Sequence, residues 1–501
     1  MMDISPDFPA FERGWNAGRN QLLTMRLAAD LDTPVSLMLK LAEAAPNSFM
    51  LESVTGGEIR GRFSFVGMKP DLIWECRDGK ARINRNARYS DDFQPDDRPA
   101  LDSLRALIAE TRIDMPDGVP AGAAGLFGYL GYDMIRLVER LPDVNPDPLG
   151  LPDAMMLRPS VVAVLDGVKG EVLLCAPAWA QDGIPARAAF AQAAERLSEA
   201  LRSLDRQPHE PRALGHDLKV GELRSNFTRE GYLAAVEKAK DYIRAGDIFQ
   251  VVPSQRWSMD FPLPPFALYR SLRRTNPSPF MFYLNFGGFQ ICGASPEILV
   301  RLREGQVTVR PIAGTRKRGD TPDEDRALEA DLLSDEKELA EHLMLLDLGR
   351  NDVGRVAKMG TVTPTEQFIV ERYSHVMHIV SNVVGELRER EDALSALLAG
   401  MPAGTVSGAP KVRAMEIIDE LEPEKRGVYA GGVGYFAANG EMDMCIALRT
   451  GVIKDGKLYI QAGGGVVYDS DPEAEFMETV NKSNALRRAA EEAARFVRGN
   501  G

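Results

Sequence analysis

The sequence predicts an α+β fold. Short strand-like runs are joined by hairpin-like links, helical blocks stand apart from them, and no G-x-G-x-x-G turn marks a Rossmann unit. The chain has 501 residues, 44% of them hydrophobic and 27% charged, which is ordinary globular material with ample core. That length suggests about two to four domains.

In chain order, RGRFSFVGM (60–68) and SVVAVLDG (160–167) read as strands, and 186–204 reads as an amphipathic helix. Residues 1–205 form an expected N-terminal domain. The stretch 206–224, polar and broken by proline and glycine, is the expected linker, and 225–501 the second domain. Thr228 caps a helix through about Arg244 that Gly246 stops. Strand-like IFQVVPSQRW, FMFYLNF, EILVRL and QVTVRPI follow. One long helix is expected over 323–348, a single strand over RYSHVMHIVSNVVGEL, and another helix from Pro410. VYAGGVGYF, DMCIALRTGVI and KLYIQAGGGVVY read as successive antiparallel strands. Asp471 as N-cap and Pro472 as first residue open a last helix that runs to about Val497.

A net charge of −13 argues against a nucleic-acid surface. The four cysteines (Cys76, Cys175, Cys292, Cys445) show no paired spacing, as expected in a reducing compartment. The acidic N-terminus lacks the apolar core of a signal peptide, and no apolar run is long enough to span a membrane. The expectation is a cytoplasmic protein with no membrane and no nucleic-acid partner.

Two helices carry acid pairs three residues apart: Glu338 with Glu341, and Glu475 with Glu478. Each pair lies on one helix face, so two helices could present four carboxylates to one point. Such hard oxygen ligands suit Mg²⁺. Spacing alone fits a solvated acidic face as well. Glu297 follows a proline at the head of the apolar strand EILVRL, where a carboxyl in apolar company can act as a general acid; a turn glutamate is the plainer reading. His375 and His378 fall on opposite faces of one strand, so they do not share a zinc ion. GTVSGAPK and QAGGGVVY are small-residue segments where backbone can approach an anion or ligand closely.

Together AGDIFQVVPSQ, NPSPFMFYL, GASPE, RPIAGTRKRG, KELAEHLMLLDLGRND, ERYSHVMHIVS, PAGTVSGAPK, YAGGVGY, ALRT, AGGGVV and DPEAEFMETVNK resemble, in this order, the chorismate-utilising enzymes, and among them the anthranilate synthase component I family. The resemblance implies two antiparallel sheets packed as a sandwich with helices outside. It implies a lyase that converts chorismate and ammonia to anthranilate and pyruvate, the first step of tryptophan biosynthesis. Glu338, Glu341, Glu475 and Glu478 match the family's Mg²⁺ site. Glu297 matches its general acid and His378 its catalytic histidine, with His375 given less weight. Thr405, Gly314, Thr315, Tyr429, Arg449, Gly463, Gly464, Gly465 and Lys482 match its catalytic and substrate-binding positions.

Relatives that add water carry lysine where Gln250 stands, and aminodeoxychorismate synthases have a nucleophilic lysine where Ala313 stands. These two positions disfavour the alternative of an aminodeoxychorismate or isochorismate-type synthase; the other alternative, a non-catalytic tryptophan-binding module, would need an acid or metal ligand to be missing, and none is. The chain shows no glutamine amidotransferase signature, so the resemblance implies a separate amidotransferase subunit that supplies ammonia within a hetero-oligomer. It also implies feedback inhibition by tryptophan, bound by Leu51, Glu52, Ser53, Pro279, Met281, Val433, Tyr435 and Cys445.

Overall fold

The computed structural model describes residues 3–52, 62–207, 220–373 and 376–497. Side-chain alternation along the strands decides the architecture. In the strand Phe63–Arg77, Phe65 and Ile73 enter one apolar cluster, Val66 and Met68 a second, and Leu72, Trp74 and Cys76 a third. In the strand Phe280–Asn285, Phe282 and Leu284 enter the first cluster while Met281 and Tyr283 enter the second.

The first cluster draws on strands and their connecting loops, and forms the seam between antiparallel layers. The second is completed by the helices Phe8–Asn16, Ala186–Leu204, Pro265–Thr275 and Pro472–Glu492. The third is completed by Ala100–Glu110, Glu336–Gly354 and Ala393–Gly400. Helices therefore cover the outer faces, in keeping with the expected α+β sandwich. Among the described residues, hydrogen bonding runs through 22 strands in one continuous network, beside a two-stranded ribbon of Gln250–Val251 and Gly408–Ala409. Strands from the two halves of the chain pair directly: Ser48–Glu52 with Phe280–Asn285, and Gly125–Leu130 with Gly432–Ala437.

The capping signals act locally. Thr228 accepts the Gly231 N–H at 3.0 Å to start the helix Arg229–Ala245, and Gly246 at φ +84° ends it. Asp471 caps Pro472–Glu492 through the Ala474 N–H.

Three expected elements are divided: IFQVVPSQRW into Gln250–Val251 and Ser254–Asp260, DMCIALRTGVI into Met442–Ile446 and Thr450–Lys454, and one helix into two. The single helix over 323–348 is two helices, Pro322–Ser334 and Glu336–Gly354. Asp335, in extended backbone, breaks the run and caps a second helix by accepting the backbone N–H groups of Lys337 and Glu338. The strand expected over RYSHVMHIVSNVVGEL runs from Val376 to Glu386 and pairs with the preceding strand Thr363–Arg372, which places Glu371 opposite His378. His375 lies outside the described residues, as does Ser53. No described helix is long and apolar enough to cross a membrane.

Candidate active site

A cavity of about 540 Å³ opens where strand ends meet the helices Glu336–Gly354 and Pro472–Glu492. Glu297, His378 and Thr405 line it, as do Gly314, Thr315, Tyr429, Arg449 and Lys482. Glu338, Glu341, Glu475 and Glu478 line it too, so both acid pairs reach one space.

Glu297 precedes the strand Ile298–Arg303 and is 5% exposed. Burial pushes its carboxyl up to about 8, against the pull of a Thr405 hydroxyl 3.2 Å from each oxygen and of the Ile312 N–H. It is therefore a protonated acid near neutrality. His378 Nδ1 lies 3.0 Å from both the Gly314 carbonyl and the Thr315 hydroxyl. The carbonyl can only accept, so Nδ1 carries the proton and Nε2 keeps the lone pair. Burial lowers the His378 pKa, and Arg449 adds to the effect, so the ring is neutral and can take a proton at Nε2.

Two of the four carboxylates, Glu341 and Glu475, have no cationic partner among the described residues. Glu475 is pushed up to about 7, first by burial and also by Glu478, and its Oε2 is buried with no hydrogen-bond partner among the described residues. Glu341 is raised by burial and by Glu338 and Glu478, and accepts the Gln250 amide at 2.9 Å. Arg316 reaches Glu338 at 3.1 Å, and Lys482 reaches Glu478 at 2.7 Å. Among the described residues no three metal-ligating side chains are already gathered on one point. The four carboxylates converge on a common space without being closed on it, and their mutual repulsion and the orphaned Glu475 oxygen fit a divalent cation.

Arg449 sits at φ +47°, a region unusual for a non-glycine residue, and makes no ion pair among the described residues. Burial lowers its pKa, so an anionic ligand would relieve a poorly solvated guanidinium. The glycine cluster is shaped by its neighbours. A Cβ at Gly463 would lie 2.9 Å from the Tyr429 hydroxyl, one at Gly464 2.9 Å from Glu475 Oε2, and one at Gly465 2.8 Å from Gln250 Nε2. Gly463 and Gly465 line the cavity, whereas Gly464 backs Glu475. The Pro410 helix start contributes nothing to the lining: Lys411 instead pairs with buried Asp352 at 2.8 Å.

The model of a chorismate binding enzyme matches residues 63–488. This chain is 78% identical over 497 residues to anthranilate synthase component 1 of Cereibacter sphaeroides, covering 99% of each. It is 51% identical to anthranilate synthase component 1 of Pseudomonas aeruginosa, covering 94% of this chain and 96% of the relative. The chain belongs to the chorismate-binding enzymes. Its enzyme class within them is that of the anthranilate synthases. The crystal structure of anthranilate synthase component I from Streptococcus pneumoniae superposes with a TM-score of 0.74 at 38% identity, covering 86% of this chain and 94% of that one.

This chorismate-binding chain has a second cavity, of about 850 Å³. Leu51, Glu52, Pro279, Met281, Val433, Tyr435 and Cys445 line it. The Glu52 side chain is wholly buried. One oxygen takes Arg273 and Tyr269, and the other, Oε2, has no partner among the described residues. Arg62, Arg301, Arg303 and Arg310 also line this space, and the sequence reading did not include them. Their signal could be found only by pairing strands distant in sequence, not in any local motif. Gln250 was singled out as a family marker, but its bond to Glu341 was not expected.

Proposed function

We propose that this chain converts chorismate and ammonia to anthranilate, pyruvate and water, the first step of tryptophan biosynthesis. The observation that carries the reading is the convergence on one cavity of a protonated Glu297, a neutral His378, four glutamates on two helices and an Arg449 with no ion pair among the described residues. Glu338, Glu341, Glu475 and Glu478 would hold Mg²⁺, which when bound supplies positive charge for the ring carboxylate of chorismate.

Arg449 grips the enolpyruvyl carboxylate and Lys482, Thr315 and Tyr429 help hold the ring in place. As ammonia forms a bond to C2, the ring double bonds shift and the C4–O bond breaks; Glu297 gives its proton to the departing hydroxyl, which leaves as water. The ammonium formed at C2 gives up a proton to solvent; His378 Nε2 takes the C2 proton as the C3–O bond breaks and the ring becomes aromatic, and the enolpyruvate released takes up a proton at its methylene carbon to become pyruvate. Thr405 orients Glu297.

Among the described residues, no lysine is positioned as a covalent nucleophile. Ala313 lines the cavity, Lys482 is held by Glu478 and the Gly463 carbonyl, and Lys337 reaches Asp469. A separate glutamine amidotransferase subunit delivers ammonia in the cytoplasm, and tryptophan inhibits from the second cavity. The unpartnered Glu52 Oε2 supports that assignment, since an amino acid's ammonium would satisfy it.

Anthranilate fluorescence from the purified chain with chorismate, Mg²⁺ and an ammonium salt tests the reading. Signal is expected without a partner subunit and should vanish with EDTA and in Glu475→Ala. Consumption of chorismate without anthranilate would overturn it.

A further inference from the structure

The two cavities share a wall. Pro296 and Ile312 line both of them. Pro296 directly precedes Glu297, and the Ile312 N–H is one of the donors on the Glu297 carboxyl. Two residues before Ile312, on the side of the second cavity, stands Arg310.

Arg310 is 5% exposed. Its Nη1 and Nη2 donate to the two oxygens of Glu371 at 3.0 and 2.5 Å, and Nη2 also reaches Glu366 at 3.4 Å. Its Nε is buried and finds no acceptor among the described residues, although the residue faces the second cavity. Glu371 stands opposite His378 in the neighbouring strand and accepts the Tyr373 hydroxyl at 2.9 Å. The Tyr373 ring in turn packs edge-on against His378, with centroids 5.5 Å apart. On its other side the His378 strand pairs with Ile312–Lys317, placing Thr315 opposite His378. One guanidinium is thus linked to both groups that handle protons, through Glu371 and Tyr373 to His378 and through the backbone of Pro311 and Ile312 to Glu297.

A plain structural clamp accounts for the bonds to Glu371. It does not account for a third donor left idle at the wall of a cavity, where a lost hydrogen bond is costly. We propose that Arg310 is a positioning residue that joins the second cavity to the reaction site. Through Glu371 and Tyr373 it holds His378, and through Ile312 it holds the hydrogen bond on Glu297. A ligand in the second cavity that offers Nε an acceptor, such as a carboxylate, draws Arg310 toward itself and shifts both supports together. This inference rests on the reading of that cavity as the tryptophan site.

The test compares wild type, Arg310→Met and Tyr373→Phe. Turnover is followed with chorismate, Mg²⁺ and an ammonium salt, and tryptophan binding by calorimetry. Wild-type turnover and wild-type inhibition are measured first, so that failure of the functional reading is seen apart from failure of this one. In Arg310→Met, kcat is expected to fall about tenfold or more while KM for chorismate stays within about twofold. Tryptophan should still bind, but the fraction of activity surviving at saturating tryptophan should rise by about fivefold or more. Tyr373→Phe should move both quantities in the same direction by less, and it decides the matter if Arg310→Met does not fold. Wild-type kcat and wild-type inhibition in the variants overturn the proposal. So does a loss confined to KM, or a loss of inhibition that is only a loss of tryptophan binding.

Discussion

Burial keeps Glu297 protonated near neutrality, and this sets a pH dependence with a definite sign. Its pKa is about 8 in the folded chain and near the ordinary carboxylate value when unfolded. The acid form is the working form, so at fixed free ammonia kcat should fall as pH rises through about 8. A pH–rate profile of the chain without its partner subunit checks this. The same shift acts on stability. Between the unfolded and folded pKa values the native state binds the extra proton, so stability declines as pH rises across that window. Glu297→Gln should therefore raise the melting temperature relative to wild type at pH 8 and above, and calorimetry can read the difference. At the second cavity, Glu52→Gln keeps an acceptor for Tyr269 but removes the charge an ammonium would meet. The tryptophan concentration for half-inhibition should rise about tenfold or more, as inhibition curves would show.

Among the elements, those with local signals were legible. Thr228 and Gly246, and Asp471 with Pro472, set helix ends through bonds to residues within a turn, and both helices stand where the sequence put them. The restart at Asp335 was not legible, because one more aspartate in DLLSDEKE looks like part of a solvated acidic face until its side chain is seen on two backbone N–H groups. That cap aims the helix carrying Glu338 and Glu341, and Asp335 also holds Arg316, which reaches Glu338. Asp335→Ala should lower stability by about 1 kcal/mol in denaturant unfolding. It should also raise the Mg²⁺ concentration for half-maximal activity about tenfold. The glycine strand end offers a complementary variant. Gly464→Ala places a methyl against the orphaned Glu475 oxygen and should weaken Mg²⁺ activation with little change in melting temperature.

At the scale of the whole molecule, the acid pairs and Glu297 could be picked out from the sequence as candidates because spacing and context mark them. Their meeting in one cavity could not, since it depends on strands and helices up to 180 residues apart being brought together by long-range pairing. The wall between the cavities was hidden for the same reason. Arg310, in the link between two strands, and Tyr373, just past the end of a third, meet Glu371 and His378 through strand registers that no local motif reveals. The sharing of sheets between the two halves of the chain has a functional consequence. Ser48–Glu52 is hydrogen bonded to the strand of Met281, so the second cavity is assembled from both halves and abuts the first across Pro296 and Ile312.

The most direct test of the central claim is kcat for anthranilate formation by Glu297→Gln, with chorismate binding confirmed by titration. If Glu297 supplies the proton for the departing hydroxyl, kcat should drop about 10²-fold or more with chorismate still bound. A kcat within a few fold of wild type would contradict the assignment of the acid, and with it the mechanism built on this cavity.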